Sequence, residues 1–379
     1  MSERVRVAHV ITGLNVGGAE RLMQTLIAKS DRSRFKHNVV SLTSIGALGQ
    51  QLLDADVPVS NLGLPSMRTA VNRLSAVRRV LSDADVIHTW MYHANLIGGA
   101  LKPRGRPLLW SLHATELEAQ YTKVATRMMV TLGQWLSRSL PQETVYCSPS
   151  SKAYHAHIGY DMSRAVIINN GIDTARFQSS ASDRQRLRAA WNLDGKIVIG
   201  NVARWHPQKD HATLLEAFAQ AQRGNNALHL VLVGDGLTAE NVQLVALIRK
   251  LNIEAHVSLV GLMRDIPAVL SALDIFIMSS AFGEALPLAL CEAMACKLPA
   301  IVTNVGECPN VVANCGWVVP PAEANQLAKA MEAASGMPEA ERAAMGSRAR
   351  EHVLAQFDIE DCTRHYEELY VSLRRNATN

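Results

Sequence analysis

The stretch that decides the fold runs from an apolar segment through a loop into a helix: Asp274-Ile-Phe-Ile-Met278-Ser-Ser-Ala-Phe-Gly283-Glu284-Ala-Leu-Pro287-Leu-Ala-Leu-Cys-Glu292-Ala-Met-Ala295. Residues 274–278 predict a buried strand, and Pro287 is typical of a first helical turn. Glu284 is then in the loop, and Glu292 is about a turn and a half into the helix. Because open α/β sheets bind ligands at the carboxyl ends of their strands, we expect both carboxylates to line a crevice. Taken alone, this pair is also typical of a solvated loop and a surface salt bridge.

Length and composition indicate a globular protein of two domains. With 379 residues, the chain exceeds the usual size of a single hydrophobic core. Apolar residues make up 48% of it and charged residues 19%, which excludes a disordered protein. No apolar run is long enough to span a bilayer, and the polar start of the sequence is unlike a signal peptide. We therefore expect a cytoplasmic protein.

The six cysteines predict neither a disulfide framework nor a metal site. They show no C-x-x-C pair and are typical of small buried side chains in a reducing compartment. Their positions are Cys147, Cys291, Cys296, Cys308, Cys315 and Cys362. A metal site built from the pairs Cys291/Cys296 and Cys308/Cys315 is disfavoured because no histidine flanks them.

Positive charge is concentrated in the first half of the sequence. Up to Arg176 the chain carries 20 Lys and Arg against 12 Asp and Glu, and the remainder carries 18 against 22. The basic half predicts an anionic surface or an anionic substrate.

Strand and helix patterns alternate along the whole chain, which predicts an α/β fold with doubly wound parallel sheets. In the first half, apolar runs predict strands at 5–12, 39–42, 57–62, 86–89, 108–112, 145–148 and 166–168. In the second half they predict strands at 197–203, 228–233, 257–260, 274–278, 300–303 and 316–319. A short polar segment after Gln178 is typical of a linker between the two halves.

A glycine loop follows the first predicted strand. Gly17 and Gly18 precede a helical pattern, so free backbone N–H groups and the positive end of a helix would face one point. This arrangement can bind an anion, although the loop is neither G-x-G-x-x-G nor a P-loop. A purely structural turn explains the pattern equally well.

Two cations and one histidine follow other predicted strands. Arg204 and Lys209 lie between a strand and a helix capped near Asp210, and they could meet at one anion. In isolation, such a pair is more typical of solvated surface cations. His113 directly follows the strand at 108–112, where a structural histidine is the commoner interpretation. His88 and His93 are less specific candidates of the same kind.

A second glycine pattern nominally fits a dinucleotide-binding fingerprint. Gly234 and Gly236 follow a predicted strand, and Glu254 comes twenty residues after the first of them. A nicotinamide-dependent oxidoreductase must therefore be considered. Against it, the loop belongs to an inner βα unit of the second half, and no set of residues for hydride transfer is visible.

The segment from Tyr121 to Leu140 predicts an amphipathic helix with two interpretations. Its apolar side chains (Val124, Met128, Leu132, Trp135 and Leu136) cluster on one side, and Lys123, Arg127 and Arg138 lie elsewhere. That cluster either faces the core or touches membrane headgroups. A neighbouring predicted helix carries Arg73, Arg78 and Arg79, which would favour an anionic membrane.

Together these motifs resemble the retaining glycosyltransferases of family 4, which have the GT-B fold. The resemblance covers nearly the whole chain and includes a hinge-like signature, Asn169-Asn-Gly171-Ile-Asp173, and a loop that ends in Arg264 and Asp265. It implies two Rossmann-like domains that face a cleft, with residues 1–178 binding the acceptor and 179–357 binding a nucleotide sugar. It also implies that a C-terminal helix, 358–379, packs back on the first domain.

The resemblance implies a role for each candidate residue. Glu292 would hold the ribose hydroxyls, and Glu284 would lie beside the hydroxyls of the donor sugar. Arg204 and Lys209 would bind the pyrophosphate and stabilise the leaving diphosphate. His113 would lie beside the scissile bond as a positioning residue or as a hydrogen-bond donor to the transition state. The remaining donor-binding candidates are Gly17, Gly18, Arg264, Ala285 and Leu286. At Ala285 the chain departs from the family, which often has glycine there.

We therefore expect a metal-independent transferase that moves a sugar, with retention, from a UDP-sugar to a glycan or lipid-linked acceptor, as in cell-surface polysaccharide synthesis. No cofactor and no nucleic acid is expected. Contact with the inner face of an anionic membrane is a further expectation. The alternatives are a nucleotide-sugar epimerase on the same fold and a non-catalytic protein that only binds a nucleotide sugar.

Overall fold

The computed structural model describes residues 4–15, 17–64, 67–118 and 120–378. Val16 of the glycine loop lies outside these residues. The chain divides into two compact units, one that contains the chain up to Gly171 and again from Ile359, and one that runs from Ile172 to Asp358. The sequence analysis placed the corresponding boundaries after 178 and after 357.

The first unit is built on a parallel sheet that has seven strands in its described residues, in the order β3-β2-β1-β4-β5-β6-β7. The strands are β1 Val5–Ile11, β2 Phe35–Ser41, β3 Val59–Asn61, β4 Val86–Trp90, β5 Leu108–Leu112, β6 Glu143–Tyr146 and β7 Ala165–Ile167. The helices between them are α1 Gly18–Lys29, α2 Gly46–Asp54, α3 Met67–Asp83, α4 Met91–Leu101, α5 Val124–Leu136 and α6 Pro149–His157.

The second unit, every residue of which is described, has a six-stranded parallel sheet in the order β10-β9-β8-β11-β12-β13. Its strands are β8 Ile197–Val202, β9 Leu228–Val233, β10 Val257–Gly261, β11 Ile275–Met278, β12 Ala300–Thr303 and β13 Gly316–Val319. Its helices are α7 Ala181–Ala190, α8 His211–Gly224, α9 Val242–Leu251, α10 Ile266–Ala272, α11 Leu288–Ala295, α12 Cys308–Val312, α13 Ala324–Gly336 and α14 Glu339–Gln356.

Both sheets reverse their strand order at the first strand of the unit, β1 or β8, as Rossmann-like folds do. The predicted α/β class and doubly wound parallel sheets are confirmed. Each strand that the sequence predicts is present, with differences of a few residues at the ends.

The last helix, α15 Ile359–Thr378, belongs to the first unit. Its Tyr366 and Tyr370 are buried in the apolar cluster that also contains Val7 and Ile11 of β1. The predicted return of the C-terminal helix to the first sheet is confirmed. The other face of that sheet, with Ala8 and Val10, packs in a separate cluster with side chains of α3, α4 and α5.

Candidate active site

The loop between β11 and α11 buries one carboxylate at the carboxyl edge of the second sheet. Glu284 is only 5% exposed. The Ser280 hydroxyl donates to its Oε1 at 2.5 Å, and the Lys209 ammonium forms an ion pair with the same oxygen. The two predicted residues Glu284 and Lys209, 75 positions apart in the chain, are therefore brought together. Burial makes such a pair dependent on both partners.

Hydrogen bonds to backbone carbonyls connect the two loops that carry this ion pair. The Ala281 N–H donates to the carbonyl of Gln208 at 2.8 Å, and the Gln208 amide donates to the carbonyl of Gly283 at 2.9 Å. The Ser279 hydroxyl donates to the Lys209 carbonyl at 2.8 Å. Because β8 and β11 are adjacent and parallel, their following loops meet at one edge of the sheet. The loops that follow β8 and β11 thus form one rigid support.

The turn after β12 braces the glutamate loop from the other side. The Glu307 N–H donates to the Glu284 carbonyl at 2.9 Å, and the Thr303 hydroxyl donates to the Ser280 carbonyl at 2.6 Å. Gly306 has a φ of +52°, and a Cβ there would lie 1.9 Å from the Glu284 carbonyl oxygen. Only glycine fits this approach.

Five further candidates for donor binding lie in the second unit. Glu292 lies on α11, where it is partly exposed while Leu290, Cys291 and residues 293–295 are buried. Arg204 follows β8, and Arg264 lies between β10 and α10; both side chains are exposed. Ala285 and Leu286 are buried within the glutamate loop. Ser280, which the sequence analysis did not single out, is the contact that it missed, although two serines directly after a strand are a visible signal.

The glycines at 234 and 236 are explained by packing. A Cβ on Gly234 would lie 1.9 Å from the Ala203 carbonyl oxygen, and one on Gly236 would lie 2.8 Å from the Trp205 side chain. Glu254 lies in a short 3-10 turn directly before β10, at the opposite edge of the sheet from these glycines. The fingerprint of a dinucleotide-binding site is therefore not assembled.

In the first unit, His113 follows β5 and is held by three contacts. Its Nδ1 lies 2.9 Å from Oδ1 of Asn170, and its ring stacks on Trp90 with a centroid distance of 5.2 Å. Its backbone N–H donates to the sulfur of Met91 at 3.3 Å, and Met91 has a φ of +70°. Nε2 is buried and has no hydrogen-bonding partner among the residues that the structure describes. Burial lowers the pKa of His113 to about 4.

The other two histidine candidates differ from His113. His88 is fully buried and hydrogen-bonds to Tyr370 at 2.8 Å and to Ser111 at 2.6 Å, so it is part of the core. His93 lies on α4 and is partly exposed, and burial lowers its pKa.

The glycine loop presents the start of α1. Gly17 is the N-terminal cap with an extended backbone, and Gly18 is the first helical residue. A Cβ on Gly17 would lie 2.3 Å from Oε2 of Glu20, so this carboxylate lies over the helix start. Burial raises the pKa of Glu20. An incoming anion at this point would meet a carboxylate as well as backbone N–H groups.

The described residues contain no group of three or more His, Cys, Asp or Glu side chains that could hold a metal ion. Two Asp-x-Asp triplets occur, at 54–56 and 83–85, at the ends of α2 and α3. Asp85 of the second triplet pairs with Arg6 at 3.0 Å. All six cysteines are buried free thiols.

Comparison with protein families decides the identity. The description "Glycosyl transferases group 1" matches residues 183–352, and "Glycosyltransferase Family 4" matches residues 16–176. The chain belongs to the family 4 glycosyltransferases.

Individual relatives of this glycosyltransferase agree with the assignment. It is 26% identical over 317 residues to the putative glycosyltransferase EpsF of Bacillus subtilis, which covers 80% of each chain. It is 22% identical over 316 residues to an Escherichia coli UDP-Gal:alpha-D-GlcNAc-diphosphoundecaprenol alpha-1,3-galactosyltransferase, again 80% of each chain. It is 31% identical to an N-acetyl-alpha-D-glucosaminyl L-malate synthase of Bacillus anthracis over about half of each chain.

Solved structures share the GT-B fold with this glycosyltransferase. Anabaena HepE in complex with UDP and glucose has a TM-score of 0.85 at 22% identity, with 97% of this chain and 100% of that chain covered. WaaG, a glycosyltransferase involved in lipopolysaccharide biosynthesis, has a TM-score of 0.73 at 16% identity, with 96% and 99% covered.

The amphipathic helix of this glycosyltransferase exposes its apolar stripe. On α5, Val124 is 68% exposed, Met128 62%, Leu132 47% and Trp135 77%. The helix packs instead through its opposite side, where Val130 and Gly133 are buried. The core-facing interpretation is therefore wrong for these four side chains, whereas Leu136, the fifth member of the predicted stripe, is partly buried against the core of the first unit. Within the described part of the chain, no helix is long and apolar enough to cross a membrane.

Proposed function

We propose that this glycosyltransferase moves a sugar from a UDP-sugar to a glycan or lipid-linked acceptor, with retention of the anomeric configuration and without a metal ion. The ion pair between Lys209 and Glu284 carries the proposal. It places a cation that can bind a diphosphate beside a carboxylate that can accept hydrogen bonds from sugar hydroxyls, on loops that cannot move apart freely. The solved relative HepE in complex with UDP-glucose supports the choice of nucleotide.

The proposed donor site uses charge in the same way as other enzymes that expel a diphosphate. Lys209 and the exposed Arg204 would stabilise negative charge on the leaving group, a task that needs fixed cations close to the developing charge. Glu284 would orient the sugar and Glu292 the ribose. Arg264, Ala285 and Leu286 complete the proposed set in the second unit, and Gly17, Gly18 and His113 are the substrate-binding candidates of the first unit.

The mechanism that the family resemblance implies needs no covalent nucleophile. The acceptor hydroxyl attacks the anomeric carbon on the face that the diphosphate leaves, and a diphosphate oxygen takes the hydroxyl proton. The bond between the anomeric carbon and the diphosphate breaks as the new glycosidic bond forms. The protein supplies binding, orientation and stabilisation of charge.

A transfer assay tests the proposal. The purified enzyme is incubated with UDP-glucose, UDP-galactose, UDP-N-acetylglucosamine or GDP-mannose, each with a cell lipid extract or soluble glycans as acceptor. We expect acceptor-dependent release of UDP and a product that keeps the anomeric configuration of the donor. A product with inverted configuration would refute retention. Conversion of one UDP-sugar into another would identify an epimerase, and binding without turnover a non-catalytic protein.

A chelator tests the metal-free part separately. With EDTA in excess over divalent ions, the rate of UDP release should be unchanged. Loss of activity that Mg²⁺ or Mn²⁺ restores would overturn this part and leave the transfer itself standing.

We also propose that α5 rests on the headgroups of an anionic bilayer on the cytoplasmic side. Its exposed apolar stripe is accompanied by Lys123, Arg127 and Arg138, which are all exposed. The sequence from Tyr121 to Gln142 contains no acidic residue. An apolar stripe flanked only by positive charge is complementary to a surface of acyl chains below anionic headgroups. The buried free thiols agree with a reducing compartment.

Vesicle co-sedimentation tests this contact. We expect binding to vesicles of phosphatidylcholine with phosphatidylglycerol, weaker binding at high salt, and a several-fold loss in Trp135→Ser. Val242→Ser is the matched control, because Val242 is 78% exposed and lies in the second unit. Equal loss in both variants would refute the assignment. A dimer in solution that Trp135→Ser dissociates would assign the stripe to a second copy of the chain.

A further inference from the structure

A line of buried hydrogen bonds in the first unit has only one possible direction. The Trp90 indole can only donate, and its Nε1 lies 3.2 Å from Nδ1 of His9. His9 Nε2 therefore carries the hydrogen and donates to Nδ1 of His37 at 2.9 Å. His37 Nε2 then donates to the Ser30 hydroxyl at 3.0 Å, which donates to the Glu367 carboxylate at 2.7 Å.

This line, from Trp90 to Glu367, requires two neutral histidines. Each imidazole in it donates through one nitrogen and accepts through the other, which an imidazolium cannot do. Burial is the main cause that lowers the pKa of His9 and His37. The line ends on α15, where the Asp31 N–H also donates to the Glu367 carboxylate at 2.8 Å. The indole N–H is thus connected to the C-terminal helix through this line of hydrogen bonds.

The Trp90 indole stacks against the imidazole ring of His113. The two rings are nearly parallel, with an interplanar angle of 15°. Trp90 is the last residue of β4 and lies beside Ser111 of β5, so the indole and the imidazole meet at the carboxyl edge of the first sheet. A second titratable group, His88, lies beside the indole, with its ring centroid 4.2 Å from that of Trp90.

Asn170 decides which nitrogen of His113 carries the hydrogen. Because its Oδ1 can only accept, a neutral His113 must donate through Nδ1. Nε2 is then a buried acceptor that no described residue satisfies. A buried acceptor without a donor is costly, so this nitrogen is placed to accept a hydrogen bond from a group other than the described residues, and a substrate hydroxyl is one such donor.

We propose that Asn170 and Trp90 are positioning residues that present Nε2 of His113 as a hydrogen-bond acceptor to a substrate hydroxyl, with Trp90 held in place by the line that ends on Glu367. This rests on the proposed function, in which sugars are the substrates. It replaces our expectation that His113 donates a hydrogen bond with the opposite polarity. Asn170 and Trp90 act through His113 and need not touch substrate.

Nitrogen NMR of the histidine side chains tests the polarity without any turnover. In ¹⁵N-histidine-labelled enzyme, with His113 assigned by its loss in His113→Gln, we expect a protonated Nδ1 and an unprotonated Nε2 at pH 7.5. In Asn170→Ala the two forms should mix. A wild-type His113 that carries its hydrogen on Nε2 would overturn the proposal, whether or not the transferase activity is found.

Kinetics test the consequence for the reaction. Asn170→Asp places a carboxylate beside Nδ1 of His113, which raises the pKa of the imidazole. Because Nε2 can accept a hydrogen bond only while the ring is neutral, the fall of kcat at acid pH should begin at a higher pH. Trp90→Phe keeps a ring under His113 but removes the N–H that His9 needs, and should lower kcat several-fold with unchanged affinity for UDP.

Tyr92→Phe is the matched control for these kinetics. It removes a 2.9 Å hydrogen bond to another buried histidine of the same unit, His155, and should leave kcat and its pH profile unchanged. If Asn170→Asp behaves like this control, the positioning role is refuted. If no variant and no wild-type enzyme turns over any donor, the function fails while the NMR result stands.

Discussion

The two units share one topology but bury different kinds of polar group. In the first unit the buried polar groups are mainly neutral imidazoles, hydroxyls and amides joined in hydrogen bonds, among them His9, His37, His88, His113 and His155. Both units hold an ion pair at the amino edge of the sheet, Arg6 with Asp85 in the first unit and Asp274 with Arg184 and Arg188 in the second. The units differ at the carboxyl edge, where the second unit places the ion pair between Lys209 and Glu284.

The comparison shows that net charge is a poor guide to where charge is used. The excess of Lys and Arg lies in the first half of the sequence, yet the buried cation proposed for the diphosphate lies in the second, acidic half. A buried ion pair adds nothing to the net charge of its domain, so counting cannot reveal it. The basic surplus of the first half includes the exposed cations around α5 instead.

The largest effect is expected when the positive charge of the Lys209–Glu284 ion pair is removed from the second unit. Lys209→Ala leaves Glu284 buried without its partner, so we expect a loss of roughly 3–5 kcal/mol in the free energy of unfolding of this unit. We also expect kcat/KM to fall at least about tenfold, on the order of 1.4 kcal/mol of transition-state stabilisation. Urea unfolding and transfer kinetics measure the two effects.

The double variant Lys209→Met with Glu284→Gln is its matched control. It removes both charges and should recover most of the stability while activity stays low. Recovery of activity in the double variant would show that the pair is structural only.

The pair at the amino edge separates structural charge from site charge. The Asp274 carboxylate accepts from Arg184 at 2.5 Å, from Arg188, and from the Val198 N–H at 2.8 Å. Asp274→Asn should cost roughly 1.5–3 kcal/mol of stability, the usual value for hydrogen bonds to a charged group. Calorimetry on the folded variant should find UDP affinity unchanged, and a weakened affinity would contradict the division of roles.

Lowering the pH should destabilise the first unit, because its buried histidine His37 is neutral in the folded state. Burial, and to a lesser extent the Arg32 charge, lower the pKa of His37 from 6.5 to about 4. Between pH 6.5 and pH 4, His37 is therefore protonated in the unfolded chain but neutral in the folded chain. The stability that the first unit gains from neutral His37 is complete above pH 6.5 and is lost as the pH falls toward 4.

A histidine variant makes this acid effect measurable. When the pH is lowered from 7.5 to 5.5, a histidine with this pKa shift lowers the free energy of unfolding by about 1 kcal/mol. Urea unfolding of His37→Gln should show a pH-dependent loss smaller by that amount. An unchanged difference between the two pH values would mean that His37 does not stay neutral in the folded unit.

The smallest effect concerns the loops that support the ion pair. Gln208→Ala removes the hydrogen bond to the Gly283 carbonyl and should lower kcat/KM about threefold, on the order of 0.7 kcal/mol, as for one neutral hydrogen bond. The pH profile should not move, because no titratable group is altered. A fall as large as that in Lys209→Ala would make the loop itself, and not its charge, the main determinant.

Local patterns of the sequence were sufficient for the strands and for the loop that holds Glu284. Val- and Ile-rich runs followed by small or polar residues have one favourable arrangement in a parallel sheet, and Pro287 marks the turn into the helix. The partner of Glu284 was accessible only through family resemblance, because Lys209 comes from another strand end. Ser280 and Asn170 were not assigned, because their roles depend on where distant side chains point.

The face by which α5 packs could not be predicted from its pattern. The helix has apolar side chains on two sides, one with Val124, Met128 and Trp135 and one with Val130. Gly133 decides between them, since a Cβ there would lie 2.3 Å from the Tyr160 hydroxyl. The helix can approach Tyr160 this closely only through Gly133. The sequence of the helix alone does not show that Tyr160 lies there.

The return of α15 to the first sheet has a consequence for biosynthesis. The core of the first unit is completed by Tyr366 and Tyr370, and Glu367 terminates its buried hydrogen bonds. These residues follow residues 172–358 in the chain, so the ribosome adds them only after the whole of the second unit has been made. The second unit can therefore fold during translation while residues 4–171 keep an apolar face open until the segment that forms α15 has been synthesised. The unit that the ribosome starts earlier is thus completed after the one that it starts later.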